Sequence, residues 1–143
     1  MRFAKNIKAG LFAGALALAA GAVNADFVVV VSAKSPAGNL TSEQVSDIFL
    51  GKVSNFPSGG PTLPVDQVEG AALRDEFYTK VTSKSPAQVK AYWSKIVFTG
   101  KGQPPKEVSD SATVKKVVSE NPNAIGYIDK GAVDGSVKAV FSH

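Results

Sequence analysis

Phe27-Val28-Val29-Val30-Val31 is a β-branched run that carries no polar residue. A strand with one wet face alternates apolar and polar side chains, whereas a continuous run of this length fits a strand buried on both faces. The run therefore predicts a strand in the middle of a parallel sheet, covered by helices on either side. The chain then breaks at Ser35-Pro36-Ala37-Gly38-Asn39.

Helix signals follow in order. Thr41-Ser42-Glu43-Gln44 has the form of a capping box, Val45, Ile48 and Phe49 share one face, and Gly51 is placed to end the helix. Lys52 to Pro61 reads as loop, and Thr62 to Val65 as a short extended piece that Pro64 weakens as a central strand. Gly70 opens a second helix carrying Leu73, Phe77 and Val81. Ser85-Pro86-Ala87-Gln88 starts a third, with Val89, Trp93, Ile96 and Val97 on its apolar stripe. A fourth begins near Ser111 with Val114, Val117 and Val118 inward, and Asn121-Pro122 ends it. Ile125 to Ile128 and Val137 to Phe141 read as closing strands around an Asp134-Gly135 turn. This order predicts an α/β fold, a small mostly parallel sheet flanked by helices.

The first 25 residues read differently. Arg2, Lys5 and Lys8 precede an apolar run from Leu11 to Ala20, and Val23-Asn24-Ala25 supplies small residues for cleavage. The run is shorter than the roughly 20 apolar residues of a spanning helix. The expectation is a secretory signal at 1–25, cut after Ala25, and one periplasmic domain at 26–143 with no membrane insertion once the signal is removed. Three of the 16 basic residues fall in that segment, so residues 26–143 hold 13 basic against 12 acidic residues. That balance argues against nucleic acid as a partner. The chain contains no cysteine, which excludes disulfides and thiol chemistry.

Catalytic constellations are scarce. The single histidine is His143, at the terminus, so nucleophile–histidine arrangements and zinc ligand sets lack their parts. Asp47, Asp75 and Glu76 read as solvated helix charges, Asp129 and Asp134 as turn residues, and Phe56 as a loop aromatic packed back onto the domain. The expectation is a non-enzyme with no catalytic residue, metal or cofactor.

One constellation suggests binding. Val65-Asp66-Gln67-Val68-Glu69-Gly70-Ala71-Ala72 joins an extended piece directly to a helix, whose first N–H groups lie open to an anion, with Arg74 nearby. The same residues admit a purely structural reading. Gly70 then permits a turn and Asp66 and Glu69 complement the helix dipole, where two acids would repel an anion.

Leu40-Thr41-Ser42-Glu43-Gln44-Val45-Ser46-Asp47-Ile48-Phe49-Leu50-Gly51-Lys52 with Asn55-Phe56 resembles a segment of the periplasmic phosphate-binding proteins of ABC importers. So do Phe98-Thr99-Gly100-Lys101-Gly102 with Pro104-Pro105, and Asn123-Ala124-Ile125-Gly126-Tyr127-Ile128. The resemblance implies one lobe of a type II periplasmic-binding-protein-like fold, whose full members clamp an oxyanion between two lobes. The family's phosphate loop reads Arg-x-x-Gly-Ser-Gly-Thr. Here Asp66 stands at the arginine position, and Ala71 and the stretch around it lack the hydroxyls.

The function implied is binding of phosphate or a related small oxyanion for ABC-type transport, with an importer permease as partner. The candidate ligands are the backbone N–H groups of Gly70, Ala71 and Ala72, with Arg74. Ser32 and Lys34 are added because ligands in open α/β sheets gather at strand carboxyl ends. The alternative is an interaction module derived from such a lobe. It would bind a protein partner or pair as a homodimer through the face a second lobe would cover.

Overall fold

The computed structural model describes residues 26–143, so the signal-peptide reading of 1–25 lies outside the described residues. The elements run β1 (Phe27–Ser32), α1 (Ser42–Phe49), β2 (Leu63–Gln67), α2 (Ala72–Thr82), α3 (Pro86–Phe98), β3 (Lys106–Val108), α4 (Ser111–Glu120), β4 (Ala124–Asp129) and β5 (Val137–Ser142).

Both capping boxes form. Thr41 and Gln44 exchange side-chain to backbone bonds at the start of α1, and Ser85 and Gln88 do so at α3. Gly51 ends α1 at φ 71°, a left-handed conformation that glycine adopts without Cβ strain. Ser85→Ala is expected to lower stability by about 1 kcal/mol, because it removes an N-cap acceptor without touching the core. Urea denaturation checks this, and an unchanged midpoint would mean that the first turn of α3 is held by packing alone.

The five strands lie in the order β3-β2-β4-β1-β5. β2 is parallel to β3 and β4, while β1 is antiparallel to both β4 and β5. Four strands therefore share one direction and β1 alone opposes them. The expected α/β sheet flanked by helices stands, but it is mixed, with two parallel and two antiparallel pairings, and the apolar run expected as a parallel strand makes both antiparallel ones. All six β1 residues are buried. Burial on both faces is what the run encodes, and burial does not specify direction.

The two faces carry two cores. Phe27, Val29 and Val31 point with Ile125 and Tyr127 towards α1, α2 and α3, meeting Val45, Phe49, Phe77, Val89 and Trp93. Val28 and Val30 point the other way with Ile128 and Val65, towards Val114 and Val118 of α4. Gly126 lies beneath α4, where a Cβ would sit 2.5 Å from Val114 Cγ1.

Three local expectations are revised. The two closing strands are not neighbours, since β1 inserts between β4 and β5. β3 was not expected, because three residues after Pro104-Pro105 carry too little pattern to announce a strand. β2 extends to Gln67 and takes an interior place despite Pro64. It pairs with β4 over Leu63–Val65 and with β3 only from Val65 onward, so the proline lies where β2 has a single neighbour.

Candidate functional site

β2, β3 and β4 all end at one edge of the sheet, where β2 passes through Gln67 into the turn that starts α2. Open α/β sheets bind ligands outside such carboxyl ends. Gly70 holds the turn at φ 95°, Ala71 is the N-cap without a side-chain cap, and the Ala71 N–H donates to the Val68 carbonyl at 3.1 Å. That bond engages Ala71 within the turn, which leaves Gly70 and Ala72 as the backbone candidates.

Arg74 is near this turn, as expected, but is drawn inward. Its Nη1 donates to the Gln67 carbonyl at 2.8 Å and to Glu107 Oε2 at 3.3 Å, and lies 3.6 Å from Asp66 Oδ2. The guanidinium also lies 5.5 Å from the centroid of the Tyr78 ring. Burial works against its charge, but Asp66, Tyr78, Tyr127 and Glu107 together outweigh burial and the group stays protonated.

The centre of the cluster is Asp66, 2 % exposed at the end of β2. Its Oδ2 accepts from the Tyr78 hydroxyl at 2.6 Å, and its Oδ1 accepts from the Tyr127 hydroxyl and from the Gln67 N–H. Gln67 carries the network onward: its Nε2 donates to Ser111 Oγ at 3.1 Å and to the Tyr127 carbonyl at 3.3 Å. Ser111 Oγ in turn accepts from the Asp129 N–H at 3.0 Å. The carboxylate thus ties β2, β4 and α2 together, and Gln67 extends the network to α4. Burial raises the Asp66 carboxyl above the usual aspartate range, opposed by Arg74, the two hydroxyls and the Gln67 N–H. Both tyrosines are pushed well above the usual phenol range, by burial first and then by the Asp66 charge, so they remain donors.

Asp66 therefore does not complement the α2 dipole, as one sequence reading had it, because it faces the core. The signal that could have found the network is an acid within a short extended piece. Such a residue is rarely buried without a partner.

Ser32 and Lys34 do not join this site. Ser32 pairs with Val137, the first residue of β5, and its neighbour Val31 pairs with Ile125 at the start of β4. Gln67, by contrast, hydrogen-bonds to Tyr127 near the end of β4. The carboxyl end of β1 thus lies at the opposite edge of the sheet, because β1 runs against its neighbours. Ser32 is also buried, its hydroxyl bonded to the Ser119 carbonyl at 3.4 Å, while Lys34 is exposed.

Beside the turn, an open groove of about 480 Å³ runs between α3 and β3. Val89, Trp93, Val97, Phe98 and Pro104 line it with Glu69, Arg74, Lys90 and Glu107 at its rim. Val97, expected on the inward stripe of α3, is 51 % exposed, and Phe98 is 92 % exposed. Among the described residues, no group of three or more acidic, histidine or cysteine side chains is arranged to hold a metal, and no helix is long and apolar enough to cross a membrane.

No family model matches the chain. Among solved structures it is similar to a putative phosphate ABC transporter substrate-binding protein from Clostridium perfringens, solved with bound phosphate. The TM-score is 0.66 at 29% identity, over 80% of this chain and 44% of that one. It is also similar to an ABC-type phosphate transport receptor from Vibrio cholerae, with a TM-score of 0.65 at 26% identity over 80% of this chain and 45% of that one. A possible phosphate binding protein from Planctomyces limnophilus shares the fold, with a TM-score of 0.58 at 17% identity over 80% of this chain and 40% of that one. The chain spans less than half the length of these structures. The expected resemblance to phosphate-binding proteins of ABC transporters holds.

Proposed function

We propose that the chain is a periplasmic solute-binding lobe that takes phosphate or a related oxyanion for ABC-type import, at the turn from β2 into α2. The observation that carries this reading is the likeness to a substrate-binding protein solved with phosphate, combined with an unblocked helix start at the carboxyl edge of the sheet. A Cβ built on Gly70 meets nothing within 4 Å, so the backbone there is open to approach. Gly70 and Ala72 offer N–H groups at the positive end of α2, an ordinary way to hold an oxyanion. Arg74 adds a charge from behind the turn, reduced by its engagement with Asp66 and Glu107. In this reading an importer permease is the partner that receives the solute.

The loss of the loop's arginine and hydroxyls predicts weak binding, because backbone donors alone carry little charge. Calorimetric titration of inorganic phosphate into the purified protein at low salt is expected to give a saturable isotherm in the millimolar range. Ala72→Glu should abolish it while leaving the Tm unchanged or slightly raised. Ala72 is exposed and begins α2, where an acid suits the helix dipole but repels an anion. No heat at millimolar phosphate would sink the oxyanion reading.

A second reading, a lobe turned to protein interaction, is favoured by the exposure of Val97 and Phe98 beside the groove.

A further inference from the structure

We propose that Asp66 sets the affinity of the oxyanion site through Arg74: ionised, it cancels the guanidinium charge that an anion needs, and protonated, it releases that charge. Anion and proton are then taken up together. Asp66 is here a positioning residue that does not touch the anion, and its role rests on the oxyanion reading above.

Arg74 is the third residue of α2. Helix side chains lean towards the N-terminus, which brings its guanidinium back to the Gln67 carbonyl at the start of the turn. Every polar contact it makes there comes from one nitrogen, Nη1, which meets Gln67, Glu107 and Asp66. Among the described residues, Nε and Nη2 donate to nothing, although the side chain is only 12 % exposed. The guanidinium therefore keeps N–H donors unspent next to the proposed anion site.

The charges around it do not balance. Asp66 and Glu107 are register partners on β2 and β3, so two carboxylates converge on one guanidinium. Glu107 has Arg74 as its base and Glu69 has Lys90. Asp66 is the acid left over, and its hydrogen bonds come only from neutral donors: the Tyr78 and Tyr127 hydroxyls and the Gln67 N–H. Two bases against three acids leave this cluster with a surplus negative charge while Asp66 is ionised and with none when it holds a proton. An anion at the Gly70 and Ala72 N–H groups is opposed in the first state and not in the second. Burial favours the protonated form of Asp66, which brings the change within reach of mild acid. His143, the single histidine, stands at the same edge of the sheet, against Phe27, which pairs with the last residue of β4.

The coupling is reciprocal: the factor by which protonation raises anion affinity is the factor by which the bound anion raises the proton affinity of Asp66. The test is calorimetric titration of inorganic phosphate into the wild type and Asp66→Asn from about pH 4 to 7.5. At neutrality Asp66→Asn is expected to bind about tenfold more tightly, and the ratio should close towards one as acid protonates Asp66 in the wild type. Phosphate's own titration and that of His143 are common to both proteins and cancel in the ratio. Adding Arg74→Gln to Asp66→Asn should remove the gain, because the charge released belongs to Arg74. The carboxyl ¹³C resonance of Asp66 gives a readout that needs no substitution. Its titration midpoint in the wild type should rise by about one pH unit in saturating phosphate. Equal affinities at neutrality, weaker binding by Asp66→Asn, or a midpoint that phosphate leaves unmoved would overturn the role of Asp66 while the oxyanion reading stands. The absence of saturable heat from either protein at every pH would overturn both.

Discussion

Asp66→Ala is expected to destabilise the protein by about 3–5 kcal/mol, the range seen when one member of a buried charged pair is removed. The Tyr78 and Tyr127 hydroxyls would both lose their acceptor in the core, and Arg74 its closest buried counter-charge. For a domain of this size that corresponds to a fall in Tm on the order of 10–20 °C, readable by circular dichroism. Asp66→Asn should cost much less. Its carbonyl oxygen still accepts, and its amide can donate to a tyrosine oxygen. Equal losses in both variants would mean that side-chain volume, not hydrogen bonding, holds this end of β2.

The pH dependence separates burial from charge pairing. Burial raises the Asp66 carboxyl above the ordinary aspartate value of 3.8, so the native state holds that proton more tightly than the unfolded chain. The stability this supplies is fully present below about pH 4 and is lost as pH rises through the raised value. Measured against Asp66→Asn, the wild type should therefore lose stability on going from pH 4 towards neutrality. A gain over that interval would mean that Arg74 and the two hydroxyls outweigh burial.

The second large effect lies at Gly126, in the middle of β4. A Cβ there would stand 2.5 Å from Val114 Cγ1, 3.3 Å from Val118 Cγ2 and 3.4 Å from the Val65 carbonyl oxygen. Val114 and Val118 are both fully buried β-branched residues on α4, with few rotamers to retreat into. Gly126→Ala is expected to cost about 1–3 kcal/mol, because α4 must lift from the sheet to admit one methyl group. Gly126→Val should cost more. Val114→Ala opens space at the same contact, so the double variant Gly126→Ala/Val114→Ala should be more stable than the sum of the single losses predicts. Strict additivity in urea denaturation would show that the strain is relieved elsewhere.

The candidate site was legible only in part. Gly70, Ala72 and Arg74 fall together as the sequence suggested, since they are neighbours along the chain and the turn between β2 and α2 is local. Ala71 dropped out because its N–H closes that turn. Ser32 and Lys34 dropped out for a non-local reason: they were placed by a rule about strand ends, and the rule needs the direction of β1, which no residue within β1 states. Asp66 was read as a helix-end charge because its partners, Tyr78 and Tyr127, lie 12 and 61 positions away. Val97 and Phe98 look like core by composition, and the structure leaves both exposed at the end of α3.

Residues 26–143 by themselves determine what local physics can determine. Two capping boxes start α1 and α3, apolar periodicity selects the inward faces of the helices, and the Phe27–Val31 run requires cover on both sides. These depend on contacts within a few residues or on burial alone. The tertiary structure decided the reversal of β1, the insertion of that strand between β4 and β5, the pairing of Asp66 with two distant tyrosines and the open edge at β3. Each of these joins residues far apart in the chain, so no local pattern specifies it. Only the joint packing of both sheet faces, with every buried polar group needing a partner, selects them.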